Sequence, residues 1–263
     1  MPLFAANLTM MFNEHPFLER FEAASKAGFT AVEYLFPYDY PAADLAMELE
    51  KHQLTQVLFN TPAGDWDAGE RGLASIPGRE QEFIDGIGMA LEYAETLNCP
   101  RIHAMAGILP ANANRTQRHN LYLRNLEAAA RLCAEAGREL LIEPINPINM
   151  PGYFLNDFRQ SCEVIDSLRQ LNVTVMLQFD LFHCARIHGD VATWLTRCKD
   201  YTGHFQIAGI PDRHEPDVGE LAYLDILNEI VELGQGNFAI GCEYIPQGLT
   251  TDGLQWLSTA RSI

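Results

Sequence analysis

Hydrophobic residues along the chain alternate between two kinds of segment. The first kind is short, apolar and rich in residues that favour β-strands, and it recurs at residues 3–7, 31–35, 55–60, 101–105, 140–143, 174–180, 204–208 and 238–244. The second kind is longer and has helical spacing, as where Phe83, Ile87 and Leu91 recur every four residues. The pattern predicts eight strands, each followed by a helical segment.

Strands that alternate with helices pair in parallel, because each helix carries the chain back to the same end of the sheet. Eight such units in a chain of 263 residues match a closed α/β fold, the (β/α)₈ TIM barrel, as a single domain over residues 1–263. The main alternative, an open doubly wound sheet, usually has a G-x-G-x-x-G turn after its first strand. Here the first strand runs into Asn7-Leu8-Thr9-Met10-Met11, and the chain contains no such turn.

The longest irregular stretch covers residues 61–78 and is rich in Gly, Pro and Asp. Loops of this length are uncommon in a compact domain unless they are functional. We therefore expect this segment to lie at the rim of the barrel and to act as a lid.

The charge of the chain excludes several kinds of partner. Its 35 acidic and 18 basic residues give a formal charge of −17, which argues against nucleic acid and against anionic membranes. The sequence shows no transmembrane run and no signal peptide. The six cysteines form no C-x-x-C pair, which favours buried free thiols in a reducing compartment. We expect a cytoplasmic protein.

Four consecutive predicted strands end in a residue that can bind a hard cation: Glu143, Asp180, Gln206 and Glu243. In a barrel these strand ends meet at one face, which is where barrel active sites lie. Oxygen ligands favour Mg²⁺ or Mn²⁺ over zinc, and a divalent ion would relieve the repulsion among three carboxylates. The alternative for each acid is a solvated residue or the N-cap of the next helix.

Further candidates for substrate binding lie close to these strand ends. His183 follows strand six and can be a metal ligand, a hydrogen-bond donor to substrate or a core histidine. Arg213, in the charged segment after strand seven, can bind an anionic substrate because guanidinium pairs with carboxylate in bidentate fashion. Arg71, within the long loop, and Arg79, directly after it, are alternatives, and Glu215 is a further candidate.

Several stretches give the chain a family resemblance over essentially its whole length. They are F-A-A-N-L-T-M-M-F (4–12), V-E-Y-L-F-P-Y (32–38), L-F-N-T-P-A-G-D (58–65), I-P-G-R-E (76–80), Q-I-A-G-I-P-D-R-H-E-P-D-V-G-E (206–220) and I-G-C-E-Y (240–244). The chain resembles the hydroxypyruvate isomerase family, which includes 2-oxo-tetronate isomerases, in the xylose-isomerase-like barrel superfamily. The stretch at 206–220 is the most specific.

The resemblance implies an aldose-ketose isomerase whose divalent metal, Mg²⁺ or Mn²⁺, is held by Glu143, Asp180, Gln206 and Glu243. The two glutamates would be proton donor and acceptor, and a cis-enediolate would link hydroxypyruvate to tartronate semialdehyde, or a 2-oxo-tetronate to its isomer. The loops after strands seven and eight lack a glycine-rich phosphate site, which predicts an unphosphorylated substrate.

Three other functions remain open from the sequence. A ketose 3-epimerase of the same superfamily would use the same metal and the same glutamates. A non-catalytic barrel could bind a sugar acid without turnover. An abasic-site endonuclease shares the barrel, but it would need a basic face. Barrels of this kind often assemble as dimers or tetramers, so a homo-oligomer agrees with the resemblance.

Overall fold

The eight predicted strands all form, and they pair in parallel in chain order until β8 closes against β1. The computed structural model describes residues 2–234 and 238–263. The strands are β1 (Leu3–Asn7), β2 (Ala31–Glu33), β3 (Thr55–Asn60), β4 (Arg101–His103), β5 (Glu139–Ile142), β6 (Met176–Asp180), β7 (Thr202–Ile207) and β8 (Ala239–Cys242). The predicted (β/α)₈ barrel is therefore confirmed.

Helices cover the outside of the barrel between successive strands. Within the described ranges they are α1 (Glu19–Lys26), α2 (Ala42–His52), α3 (Glu80–Thr96), α4 (Arg115–Glu135), α5 (Phe158–Arg169), α6 (Leu181–His188), α7 (Val191–Cys198), α8 (Tyr223–Glu232) and α9 (Gln255–Ala260). None of these described helices is both long enough and apolar enough to cross a membrane.

Five strands (β2, β4, β5, β7 and β8) end earlier than predicted at their carboxyl ends, and two of these ends precede the glutamates of the site. β5 ends at Ile142 and β8 ends at Cys242, so Glu143 and Glu243 lie one residue beyond the regular ladder. Pro144 follows Glu143 and has no N–H to continue the hydrogen bonding. Both glutamates are consequently the first residues of the loops at the carboxyl-terminal face.

The interior of the barrel changes character along its axis. A small apolar cluster is formed by side chains from several strands, among them Ala5, Ala31, Val57, Leu141 and Ala239. Buried polar side chains stand at the carboxyl ends of five strands: Asn7, Glu33, Asn60, His103 and Asp180. The barrel interior is therefore apolar towards the amino ends of the strands and contains a polar layer near their carboxyl ends.

Glu33 is at the centre of this polar layer and is 1% exposed. Its Oε1 accepts hydrogen bonds from Asn7 Nδ2 at 3.0 Å and from Gln206 Nε2 at 2.8 Å. Its Oε2 lies 2.7 Å from Nε2 of His204. A Cβ at Gly241 would lie 2.2 Å from Glu33 Oε1, so the glycine makes room for the carboxyl group.

We predict that Gly241→Ala lowers the free energy of unfolding by about 1–3 kcal/mol, because overpacking would displace a carboxyl group held from three sides. Denaturant titration measures the change. The matched control is Gly88→Ala, at an exposed position of α3 where an added Cβ meets nothing within 4 Å. That variant should instead gain roughly 0.5–1 kcal/mol from lower backbone entropy in the unfolded chain. Equal stability of the Gly241→Ala protein and the native chain would contradict the packing argument.

Candidate active site

A cavity of about 210 Å³ opens at the carboxyl-terminal face of the barrel. Four residues predicted from the sequence line it, namely Glu143, His183, Arg213 and Glu243. Arg213 is the one arginine or lysine among its described lining residues. Most of the other lining side chains are apolar, so charge is concentrated on one wall.

Three buried carboxyl groups lie close together here, although Asp180 does not line the cavity as Glu143 and Glu243 do. Arg213 connects two of them. Its Nη2 lies 3.2 Å from Asp180 Oδ2 and 3.2 Å from Glu243 Oε2. Glu143 is the third, and ligand atoms of Glu143, Asp180 and His183 all lie within 4.8 Å of one another. When all three are ionised, their negative charge would exceed that of one guanidinium, and a divalent cation fits such a donor set.

The burial of these groups changes their proton affinity. Burial raises the pKa of Glu143 well above its usual range, and the neighbouring Glu243 and Asp180 raise it further. Burial also raises the pKa of Glu243 to about 8, although Arg213 opposes the shift. Two glutamates in one cavity therefore hold protons at a pH where exposed glutamates would have lost them.

Asp180 has two roles because it is both the last residue of β6 and the N-cap of α6. Its Oδ1 accepts hydrogen bonds from the backbone N–H groups of Phe182 at 2.7 Å and of His183 at 3.3 Å. Its Oδ2 faces Arg213 and His183 instead. The helix-capping alternative and the site prediction are thus compatible, since each uses a different oxygen.

His183 is buried between the loop after β5 and the carboxyl groups. Its Nδ1 lies 2.7 Å from Nδ2 of Asn146, and its Nε2 lies 3.8 Å from Glu143 Oε1 and 3.6 Å from Asp180 Oδ2. Burial lowers the pKa of His183 to about 4, against the opposing effect of Asp180. The imidazole is therefore neutral near pH 7.

Gln206 lies beside Asp180 in the barrel register, but it does not line the cavity. Its Nε2 donates to Glu33, and its Oε1 accepts a hydrogen bond from Gln178 Nε2 at 2.6 Å. The amide is therefore fixed within the polar layer. Its role as a metal ligand stays a prediction.

Two other predicted substrate-binding residues lie outside the cavity lining. Arg71 stacks on Trp66, with its Cζ 3.7 Å from the ring centroid, and donates to the Trp66 carbonyl at 2.9 Å. Glu215 is 4% exposed, and its Oε1 accepts from Gln247 N at 3.1 Å. Through these contacts, Arg71 and Glu215 each hold a loop segment in place. Arg79, the alternative to Arg71, donates to Glu70 at 2.6 Å.

Sequence analysis missed three residues at the site. Asn60 ends β3 and lines the cavity, and His103 ends β4 with its Nδ1 3.8 Å from Glu143 Oε2. Both follow the strand-end rule used for the later strands, so the same signal could have found them. Trp66 belongs to the 61–78 loop and lines the cavity, which places part of this loop at the rim as expected.

Comparisons with known proteins identify the family. The chain matches the family model described as Xylose isomerase-like TIM barrel over residues 21–260. It is 52% identical over 257 residues to a 2-oxo-tetronate isomerase of Cupriavidus necator, with 98% of each chain covered. It is 43% identical over 258 residues to the hydroxypyruvate isomerase of Escherichia coli, with 98% of this chain and 99% of the relative covered.

A crystal structure from Brucella melitensis, titled AP endonuclease, family 2, has a TM-score of 0.95 and 46% sequence identity, with 98% of this chain and 99% of that chain covered. The closed barrel agrees with the family model and with these relatives. The chain belongs to the family of hydroxypyruvate and 2-oxo-tetronate isomerases, within the xylose isomerase-like TIM barrels.

Proposed function

We propose that the protein moves a carbonyl group between adjacent carbons of a small unphosphorylated hydroxy-oxo acid, either hydroxypyruvate or a 2-oxo-tetronate. The observation that carries this proposal is that Glu143 and Glu243 line one small cavity and both have raised pKa values. Isomerisation needs one group to take a proton from carbon and one to return it. Such groups work best with a pKa near the operating pH.

A divalent cation, Mg²⁺ or Mn²⁺, fits the excess negative charge of the site. Glu143, Asp180 and Glu243 would hold it, and Gln206 is the fourth ligand that the family resemblance implies. When bound, the cation polarises the carbonyl group and acidifies the neighbouring C–H. Burial raises the pKa of both glutamates in the metal-free protein, and a bound cation would lower it because the cation favours the ionised carboxyl groups.

The residues of the chain then divide the reaction between them. One glutamate removes the proton from the hydroxyl-bearing carbon, and the other returns a proton to the former carbonyl carbon. The hydroxyl proton moves between the two oxygens, so that atoms and charge balance. Arg213 and His183 line the same cavity and would orient the acid.

The size and charge of the site favour a small acid over DNA. The name of the Brucella melitensis protein offers an endonuclease as a second candidate. A formal charge of −17 opposes it, because affinity for phosphate backbones depends on clustered Lys and Arg.

We also propose a cytoplasmic location, since all six cysteines are free thiols. Homo-oligomer formation stays a prediction.

We predict that metal-depleted protein supplied with Mg²⁺ or Mn²⁺ isomerises hydroxypyruvate or a 2-oxo-tetronate in D₂O. NMR should show a product with its carbonyl on the adjacent carbon. A product that differs only in the configuration of one deuterated carbon would indicate an epimerase instead. Binding of the acid without turnover under any metal condition would indicate a non-catalytic barrel, and it would contradict the proposed function.

We predict that Glu143→Gln and Glu243→Gln each lower kcat by at least about 100-fold, because glutamine cannot exchange the proton. The amide keeps the volume of the side chain, so circular dichroism and the melting temperature should show an intact fold. The matched control is Glu127→Gln on α4, whose side chain pairs with Arg131 at the surface. Near-normal kcat in either cavity variant would refute the two-glutamate scheme.

We predict that the metal-free protein becomes less stable as the pH rises. The folded-state pKa of Glu243 is about 8, against about 4.3 in an unfolded chain. The stabilisation from its protonated form is complete below pH ~4.3 and is lost as the pH rises through about 8. Unfolding by denaturant at several pH values measures the slope.

Added Mg²⁺ should restore more stability at pH 8 than at pH 6, since cation and proton compete for the same carboxyl groups. The Glu143→Gln/Glu243→Gln double variant should have a flatter pH profile, whereas Glu127→Gln should keep the native one. A native profile in the double variant would show that other groups cause the pH dependence.

A further inference from the structure

The position of the proton on His183 is set by the loop that follows β5. Nδ1 of His183 lies 2.7 Å from Nδ2 of Asn146 and 3.4 Å from the backbone N of the same residue. A backbone N–H can only donate, so Nδ1 is the acceptor and carries no proton. The neutral ring must then carry its proton on Nε2.

The amide of Asn146 is held in one orientation by its own loop. Its Oδ1 accepts hydrogen bonds from the backbone N–H groups of Ile148 at 3.1 Å and Asn149 at 3.0 Å. Only the oxygen end of an amide can accept, so the NH₂ end faces His183. Asn146 is 0% exposed, and a reversed amide would place its NH₂ group against two backbone N–H donors.

The Nε2–H group of His183 is left available to a bound molecule. Its distances to Glu143 Oε1 and Asp180 Oδ2, 3.8 Å and 3.6 Å, are longer than hydrogen bonds. His183 also lines the cavity. A substrate oxygen beside Nε2 would therefore meet a donor that no carboxyl group has engaged.

We infer that Asn146 is a positioning residue: it holds His183 in the Nε2–H tautomer, so that His183 donates a hydrogen bond to the substrate oxygen that gains negative charge. The inference rests on the proposed function. It also excludes Nε2 of His183 as a ligand of the cation, because a ring nitrogen that carries a proton has no lone pair for a metal. Of the three clustered groups, Glu143 and Asp180 remain as ligands.

The variant Asn146→Asp tests the inference by reversing one hydrogen bond. Aspartate has nearly the same shape and keeps an oxygen for the two backbone N–H groups, but it presents an acceptor to Nδ1. The proton of His183 should move to Nδ1, and Nε2 should become an acceptor. Loss of a donor aimed at developing charge should lower kcat by about 100-fold, with a smaller effect on KM.

The matched control is Asn156→Asp, in the same loop. Asn156 is half-buried and donates to the Tyr153 carbonyl at 3.1 Å, and it does not line the cavity. This variant makes the same change of charge and loses one amide donor, so it reports the effect of those changes alone. Its kcat should stay within about threefold of the native value.

Long-range ¹H–¹⁵N spectra of the metal-depleted protein report the tautomer without any turnover. The His183 signals are assigned by their loss in His183→Gln. The native protein should show an unprotonated Nδ1 and a protonated Nε2, and Asn146→Asp should show the reverse. In the His183→Gln background, Asn146→Asp should lower kcat by less than about threefold, because the residue through which it acts is gone.

Three results would overturn the inference. They are a native His183 that carries its proton on Nδ1, an Asn146→Asp protein that keeps native turnover with the tautomer reversed, and an equal loss of kcat with the tautomer unchanged. A native protein that turns over no hydroxy-oxo acid would refute the proposed function instead, while the spectra would still decide the tautomer.

Discussion

Charge repulsion among three buried carboxyl groups is the constraint on which the site depends. Glu143, Asp180 and Glu243 lie at one end of the barrel, and Arg213 contacts two of them. Like charges repel strongly in a poorly screened interior. The repulsion can be relieved by binding protons or by binding a divalent cation. The proposed reaction needs both a proton and a cation, so the same crowding would supply the affinity for each.

The barrel keeps this unfavourable arrangement in place because each carboxyl group is attached to a different strand or strand end. Beneath them, Glu33 accepts hydrogen bonds from Asn7 and Gln206, and Gly241 leaves the space that its carboxyl group occupies. The contacts of Glu33 with Asn7, His204 and Gln206 join β1, β2 and β7 in one buried network. It therefore holds the strand ends at fixed separations, which the repulsion alone would increase.

A second group of contacts sets the orientation of the side chains at the site. In these contacts the two ends of one side chain bind different partners. Asp180 caps α6 with one oxygen and faces Arg213 with the other. Asn146 accepts from its own loop with its oxygen and donates to His183 with its nitrogen. Because backbone groups determine one end of each side chain, the other end meets a residue of the cavity lining, Arg213 or His183, in a defined way.

The sequence by itself determined the barrel and the convergence of Glu143, Asp180 and Glu243, since strand periodicity and strand ends are local patterns that the closed sheet brings together. It did not determine which loop residues reach the cavity. Glu215 is fixed by Gln247, 32 residues away, and Asn146 acts on His183, 37 residues away. Only the tertiary structure decided these contacts, because the path of a loop depends on elements distant in the chain. For the same reason the proton position on His183 could not be predicted from its own neighbours.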